Sequence, residues 1–141
     1  MTCKKIKIQA ITEASFRPYG KIIGYTGSRR PKNKNLFKIV VKQPGVGWRI
    51  ACLVVRDKKI DRLEQHPGSL ESFEPVSGKG LLYVSNRKDS RFIKCFLLNK
   101  PVILKKSLWH GIVTLSPECE VKIVENSTVK CVYWPVVICP M

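Results

Sequence analysis

The sequence predicts an all-β protein built as a sandwich or barrel of short strands. Segments rich in β-forming residues recur about every ten residues, and turn-forming residues separate them. No segment shows sustained helical periodicity. With 141 residues and a hydrophobic content of 44%, the chain is long enough to bury a core. We therefore expect a single domain that spans residues 1–141.

The first half of the chain supplies the first predicted strands. KIKIQAI alternates apolar and polar residues, and TEASF begins a short turn that Thr12 caps and Gly20 closes. KIIGYTG predicts the second strand, SRRPKNKN a polar loop and LFKIVVKQ a further strand. After the turn QPGVG, WRIACLVVR predicts a long strand. RDKKIDRLEQ fits either a strand or a helical turn.

The second half continues the same alternation of strands and turns. ESFEPV predicts a short strand, which Pro75 places near a sheet edge or a bend. The other predicted strands are GLLYVSN, FIKCFLL, PVILKKSLW, GIVTL, CEVKIVEN and VKCVYWPVVI.

The chain is strongly basic, with a formal net charge of +16. Residues 1–50 carry twelve Lys and Arg and one acidic residue. Such a surface attracts anions, including nucleic acid. Exposed aromatic residues, which nucleic-acid modules interleave with basic ones, are lacking around SRRPKNKN. We expect a solubility and anion-attracting surface and not a specific nucleic-acid reader.

The N-terminus and the cysteines predict the compartment. MTCKKIKIQAITEASF contains no long apolar run, so it predicts neither a signal peptide nor a membrane span. The six cysteines show no CxxC spacing, which argues against a zinc ribbon or a thioredoxin-type motif. We expect a cytoplasmic protein with reduced and mostly buried thiols.

The stretch RLEQHPGSLESFEPVSGKG carries the candidate chemistry. Glu64 and His66 face the same way in an extended segment, and the turn after them can return Glu71 beside them. His110, in SLWHG, is a ligand candidate from a distant strand. Two histidines and one or two carboxylates suit Mn, Fe, Ni or Zn. The alternatives are a turn histidine bonded to backbone, a histidine packed beside Trp109, and solvated glutamates.

This spacing resembles the first cupin motif, in which two histidines one residue apart precede a glutamate and then a glycine. Here Glu64 takes the place of the first histidine, and Gly78 is the glycine. His110 falls where the second cupin motif has its histidine. The resemblance implies a cupin-type double-stranded β barrel, or jelly roll, which agrees with the strand count.

Three segments resemble the ureidoglycolate lyase family, formerly called ureidoglycolate hydrolases. They are ITEASFRPYGKII, RLEQHPGSLESFEPV and SLWHG, which together span about residues 11–115. The resemblance implies cleavage of ureidoglycolate to glyoxylate and urea, and a homodimer. Positions that depart from the family pattern are Gln65, Glu71, Leu104 with the two lysines after it, and Gly111.

The resemblance also implies roles for individual residues. His66, Glu71 and His110 are expected to be catalytic, and the same three with Glu64 are expected to hold a divalent metal. Lys105, Lys106 and Trp109 are expected to contact a small carboxylate substrate. Two other functions remain open at this point: a non-catalytic cupin that binds a small anion, and a basic nucleic-acid-binding barrel. No membrane partner is expected.

Overall fold

The protein consists of two β-sheets that pack face to face. The structure is a computed structural model that describes residues 3–24, 40–41, 43 and 45–140. The strands are β1 (Ile8–Ala10), β2 (Gly20–Ile22), β3 (Trp48–Val55), β4 (Ile60–Gln65), β5 (Glu71–Ser77), β6 (Gly80–Ser85), β7 (Lys94–Leu98), β8 (Val102–Leu104), β9 (Trp109–Thr114), β10 (Cys119–Asn126) and β11 (Val132–Ile138). Among the described residues, helical structure is confined to α1 (Glu13–Phe16) and a 3-10 turn at Ser90–Phe92. The all-β, jelly-roll prediction is confirmed.

The strand order brings distant parts of the chain together. The six-stranded sheet has the order β1-β7-β6-β9-β4-β11, and the five-stranded sheet has the order β2-β8-β5-β10-β3. Sequence neighbours β4 and β5 therefore lie in different sheets and face each other. The turn between them places Glu64 and Glu71 on opposite walls of the same interior.

An apolar core fills most of the space between the sheets. Leu82 and Phe96 of the six-stranded sheet meet Phe73 and Val121 of the other sheet in one buried cluster. Helix α1 adds Phe16, whose ring centroid lies 5.3 Å from that of Phe96. Burial of this apolar surface is the main driving force that holds the two sheets together.

The six-stranded sheet is also buried on its outer face. Leu81, Tyr83 and Val113 alternate with the interior residues of the same strands and belong to a second buried cluster. Trp109 packs there against Trp134, with ring centroids 5.7 Å apart. Strand β6 is buried along its whole length because both of its faces are covered.

Local sequence signals agree with several observed elements. Thr12 caps α1: its side chain accepts from the Ser15 amide, and the Ser15 side chain accepts from the Thr12 amide. In the ambiguous segment RDKKIDRLEQ, residues 60–65 form strand β4 and the residues before them form its connection. Strand β5 lies between β8 and β10, but its pairing with β8 ends at Phe73, so Pro75 pairs only with β10, beside a register shift at Val121. Pro75 is therefore near a local edge and a bend, as predicted.

The basic loop SRRPKNKN lies outside the described residues, as does most of the predicted strand LFKIVVKQ. The described residues of that predicted strand, Val40, Val41 and Gln43, are not in a strand. Among the described residues, no helix is long and apolar enough to cross a membrane.

The prediction of reduced, mostly buried thiols is wrong for two of the cysteines. Cys3 and Cys139 form a disulfide with their Cα atoms 5.6 Å apart. The Lys4 amide donates to the Val137 carbonyl beside it, so the two ends of the described chain are adjacent. Of the other cysteines, Cys95 and Cys119 are buried, and Cys52 and Cys131 are exposed.

We expect this disulfide to stabilise the fold by restricting the unfolded chain. The Cys3→Ser, Cys139→Ser variant should lose about 2–4 kcal/mol of unfolding free energy, because a long loop is no longer closed. Urea denaturation of the oxidised protein and of this variant measures the difference. A Cys52→Ser, Cys131→Ser variant, whose exposed thiols are not crosslinked, is the comparison for simple loss of sulfur. Equal midpoints for the oxidised protein and the disulfide variant would contradict this expectation.

Candidate metal centre and its cavity

The two sheets bring four predicted side chains together. Glu64 of β4 lies directly opposite His110 of β9 in the six-stranded sheet, so both project from the same face. His66 follows the end of β4, and Glu71 is the first residue of β5 in the facing sheet. The backbone thus delivers two histidines and two carboxylates to one point between the sheets.

The distances among these groups fit a common ion. The Nε2 atom of His110 lies 2.7 Å from Glu71 Oε1 and 3.6 Å from Glu64 Oε1. The Nε2 atom of His66 lies 3.4 Å from Glu71 Oε1 and 3.8 Å from Glu64 Oε1. Ligand atoms that each lie about 2.1 Å from a metal are about 3.0–3.4 Å apart at octahedral or tetrahedral angles. The observed separations of 2.7 to 3.8 Å lie on both sides of this range, so small side-chain movements would bring the ligand atoms to a common ion.

The outer nitrogen of each histidine faces the backbone. His110 Nδ1 lies 2.9 Å from the Leu108 carbonyl oxygen, and His66 Nδ1 lies 3.4 Å from that of Lys130. A carbonyl oxygen only accepts, so the Leu108 contact places a hydrogen on Nδ1 of His110. His66 Nδ1 also lies 3.6 Å from Cys131 Sγ, which can donate to it. The Nε2 atoms of both rings are directed at the cluster, and a metal-ligating histidine is usually oriented in this way.

Two buried atoms of the cluster lack a hydrogen-bond partner. Glu71 Oε1 and His110 Nε2 are both without an aligned partner, although they lie only 2.7 Å apart. When His110 is protonated, the two groups form a charge-assisted contact. Unsatisfied buried polar atoms are costly. A divalent cation would satisfy both, so these residues fit a metal.

Burial and mutual charge set the protonation of the metal-free cluster. Burial lowers the pKa of His110, but the carboxylates of Glu64 and Glu71 outweigh it and raise that pKa to about 10. Burial likewise opposes the charged form of Glu71, but contact with His110 and His66 lowers its pKa well below the usual range. Without a metal, a proton on His110 therefore offsets part of the carboxylate charge at neutral pH.

The sequence analysis missed one acidic residue beside the cluster. Glu125 of β10 is buried and lies directly opposite Glu71 in the sheet, and its carboxylate oxygen accepts from Arg49 Nη2 at 2.7 Å. Burial is the main cause that raises the pKa of Glu125. CEVKIVEN alternates apolar and polar residues in the usual way, and only the pairing of β10 with β5 shows that Glu125 is near the site.

A small cavity of about 240 Å³ opens beside the cluster. Across the described residues, β4 and β9 are paired only where Glu64 lies opposite His110, and the cavity lies where the two strands separate. Arg62 and Tyr133 also line it. The Arg62 guanidinium carbon lies 4.3 Å from the centre of the Tyr133 ring. The cavity is smaller than the usual range of about 300–1,000 Å³ for drug-sized ligands, so it suits a small molecule.

The three residues predicted to contact substrate lie elsewhere. Lys105 and Lys106 are exposed, and neither lines the cavity beside His110. Trp109 points to the opposite face of β9 from His110 and is buried in the outer cluster. Alternation along the strand causes this separation, because neighbouring residues project to opposite faces.

Of the positions that depart from the ureidoglycolate lyase pattern, some lie away from the metal-ligand cluster and one lies beside it. The Gln65 side chain donates to the Ser107 carbonyl at 2.8 Å, away from the cluster. A Cβ at Gly111 would lie 2.9 Å from the side-chain ends of both Ile60 and Leu63, so a histidine here would require those side chains to shift. Leu104 is different, because it lies opposite Glu71 and is buried beside the site.

Comparisons with known proteins give a partial fold likeness and no family assignment. No family model matches the chain, and no curated protein matches it. Solved structures to which part of the chain is similar include oxalate decarboxylases. A Bacillus subtilis oxalate decarboxylase at pH 4.6 is 16% identical, covers 62% of this chain and 23% of its own, and has a TM-score of 0.49. A structure from a study of the Mn(II) centres of that enzyme is 15% identical, covers 64% of this chain and 24% of its own, and has a TM-score of 0.48.

This chain therefore spans about a quarter of the length of the oxalate decarboxylases to which it is similar, 24% in one case. At this level of similarity no residue role passes from them to this chain. The specific resemblance to ureidoglycolate lyase finds no support in these comparisons and stays a prediction.

We expect the purified protein to bind about one equivalent of a divalent metal, and His66→Ala or His110→Ala to weaken that binding at least tenfold. Each substitution removes a ring nitrogen directed at the cluster. Titration of Mn, Fe, Ni or Zn against a competing chelator measures the affinity. Glu74→Gln is the matched control for Glu71→Gln, because Glu74 is on the same strand but pairs with Lys122 at the surface. Equal losses for Glu71→Gln and Glu74→Gln would contradict this assignment.

The raised pKa of His110 predicts how metal affinity depends on pH. Protons and metal compete for Nε2, so affinity should rise with pH for as long as His110 stays protonated in the metal-free protein. With its pKa raised to about 10, the rise should continue from pH 7 to 8.5. A site of ordinary histidines, with pKa about 6.5, would be nearly flat over that range. Chelator competition at several pH values gives the slope, and a flat profile above pH 7.5 would contradict the raised pKa.

Proposed function

We propose that this protein is a metal-dependent enzyme for a small 2-hydroxy or 2-oxo carboxylate, with ureidoglycolate as the first candidate. The observation that supports the proposal is that a cluster of possible metal ligands lies next to a small cavity. Glu64, His66, Glu71 and His110 meet at one point between the sheets, and Glu64 and His110 line a small cavity that Arg62 also lines. The cluster can hold a cation, and the Arg62 guanidinium supplies a second positive charge at the cavity wall.

Arg62 is the residue best placed to hold a substrate carboxylate. Its guanidinium lies over Tyr133 at the cavity wall, and this stacking fixes its plane. A guanidinium binds a carboxylate with two parallel hydrogen bonds, which a lysine does not do. The proposal therefore assigns to Arg62 the role that the sequence suggested for Lys105 or Lys106.

His66, Glu71 and His110 would hold the metal from the buried side. When bound, a divalent metal polarises a coordinated hydroxyl or carbonyl oxygen and lowers the pKa of that hydroxyl. Glu64 is the most accessible member of the cluster, with its side chain 38% exposed, and it lines the cavity. Contact with His110 is the first cause that lowers the Glu64 pKa, so its carboxylate is ionised at neutral pH and can accept a proton.

For ureidoglycolate the proton transfers can be assigned to two residues of the cavity. Glu64 takes the proton of the carbinol hydroxyl, the carbon–oxygen double bond of glyoxylate forms, and the bond from carbon to the ureido nitrogen breaks. The electron pair of that bond goes to the nitrogen, which takes a proton from the Tyr133 hydroxyl to give urea. Contact with Cys131 is the first cause that raises the Tyr133 pKa, so the hydroxyl keeps its proton until this step.

The test is urea release from ureidoglycolate by the purified protein with Mn, Ni, Zn or Fe, or with no metal. Arg62→Gln should lower kcat/KM about tenfold to a hundredfold, because hydrogen bonds to a charged group contribute about 1.5–3 kcal/mol. Arg62→Lys should be intermediate, since it keeps the charge and loses the two-bond geometry. Lys105→Gln is the matched control and should change kcat/KM less than twofold.

Two results would contradict the proposal. Turnover that survives both His66→Ala and His110→Ala would place the activity elsewhere in the protein. Absence of turnover with every metal, together with Arg62-dependent binding of glyoxylate, would instead favour a non-catalytic protein that binds a small anion. Isothermal titration with glyoxylate distinguishes these outcomes.

A further inference from the structure

We infer that the outer edge of strand β3 is a self-association surface, through which two copies of this chain pair antiparallel to form a dimer. The inference does not depend on the proposed chemistry, because it concerns the far edge of the five-stranded sheet. It assigns a particular strand and register to the homodimer that the sequence resemblance only implies.

Strand β3 is a long edge strand. It is the last strand of its sheet, and among the described residues it pairs only with β10. Val40 and Val41 come from the segment predicted to form a strand before β3, but they lie beside β2 at the other edge of the sheet. Lys21 Nζ donates to the Val40 carbonyl at 3.4 Å, and Val41 lines a cavity together with Gly20. An unpaired edge presents a row of backbone donors and acceptors that can pair with another strand.

The exposed face of this edge is apolar. Trp48 is 67% exposed, Ile50 59% and Val54 41%, and Cys52 between them is also exposed. These residues alternate along β3, so they share one face. Natural edges are commonly protected by charge or proline, but the six residues from Ile50 to Val55 contain neither. A contiguous apolar stripe of this kind is a sign of an interface.

The strand is complementary to itself when two copies run antiparallel around Cys52. In that register Ile50 of one copy lies opposite Val54 of the other, and Trp48 lies opposite Arg56. The Arg56 guanidinium of one copy then lies opposite the Trp48 indole of the other copy and not opposite another cation. This gives one cation–π contact at each end of the paired strands. On the other face Ala51 lies opposite Leu53. Arg49 lies opposite Val55 and keeps its ion pair with Glu125 within its own copy. A twofold axis through Cys52 relates each pair to its equivalent, as an isologous interface requires.

Charge explains why such a dimer would respond to salt. Each copy has a formal net charge of +16, so two copies repel each other at low ionic strength. Screening removes that repulsion and leaves the apolar contacts intact. Dimerisation should thus strengthen as salt is added, whereas binding of an acidic peptide or nucleic acid to the same edge would weaken.

The first experiment measures mass by sedimentation velocity over a range of protein and NaCl concentrations, with Cys52→Ser included to exclude disulfide linkage. We expect a dimer whose dissociation constant falls as NaCl rises from 50 to 500 mM. Ile50→Lys should raise that constant at least tenfold by placing a charge on the edge. Val76→Lys is the matched control, because Val76 is exposed to the same extent (58%) on β5. A monomer at all concentrations, or equal effects of the two lysine substitutions, would overturn the inference.

The second experiment tests the register. Opposed residues in an antiparallel pair have Cα atoms about 4.5–5.5 Å apart, a separation that a disulfide spans. With copper(II) phenanthroline as oxidant, the two Cys52 thiols should lose two protons and two electrons and form an intermolecular disulfide. Cys131→Ser should crosslink as well as the unmodified protein, and Cys52→Ser should not. Crosslinking that persists in Cys52→Ser and disappears in Cys131→Ser would show a different dimer and reject this register.

Discussion

The contact between Glu71 and His110 is the constraint on which the rest of the site depends. Both groups are buried, they come from opposite sheets, and their nearest atoms are 2.7 Å apart. Burial of either charge alone would cost several kcal/mol, so each requires the other, a proton or a metal. Sheet packing driven by apolar burial brings them this close. Apolar burial in the core therefore supplies the free energy that keeps these polar groups together, because the cluster would not form by itself.

The pairing of the strands places other polar residues directly opposite Glu71 and its neighbour in the sheet. In the five-stranded sheet, Leu104, Glu71, Glu125 and Arg49 lie directly opposite one another across four strands. Polarity changes along this row from an apolar residue at one end to a half-exposed cation at the other. Arg49 compensates Glu125, so Glu71 remains available to the two histidines. Two carboxylates that face each other in a sheet would otherwise destabilise it.

The same geometry separates the buried ligands from the groups available to substrate. His66 and Glu71 face the interior, whereas Glu64, Arg62 and Tyr133 line the cavity where β4 and β9 diverge, and His110 lies at the boundary between the two. A site of this kind can hold a cation tightly on one side and exchange a small anion on the other. The outward-facing residues of β9 belong to a separate apolar cluster, so the two functions of the strand, packing and chemistry, do not interfere.

The sequence by itself determined the fold class, most strand positions and the Thr12 cap, because these follow from local alternation and turn chemistry. It also determined which residues are chemically suited to the cluster: the spacing of Glu64, His66 and Glu71 reflects one strand and one turn. Only the tertiary structure decided that Arg62, Tyr133 and Glu125 join them and that Trp109 does not. Those relations depend on the register between strands far apart in the chain, and a shift of one residue would send each side chain to the opposite face.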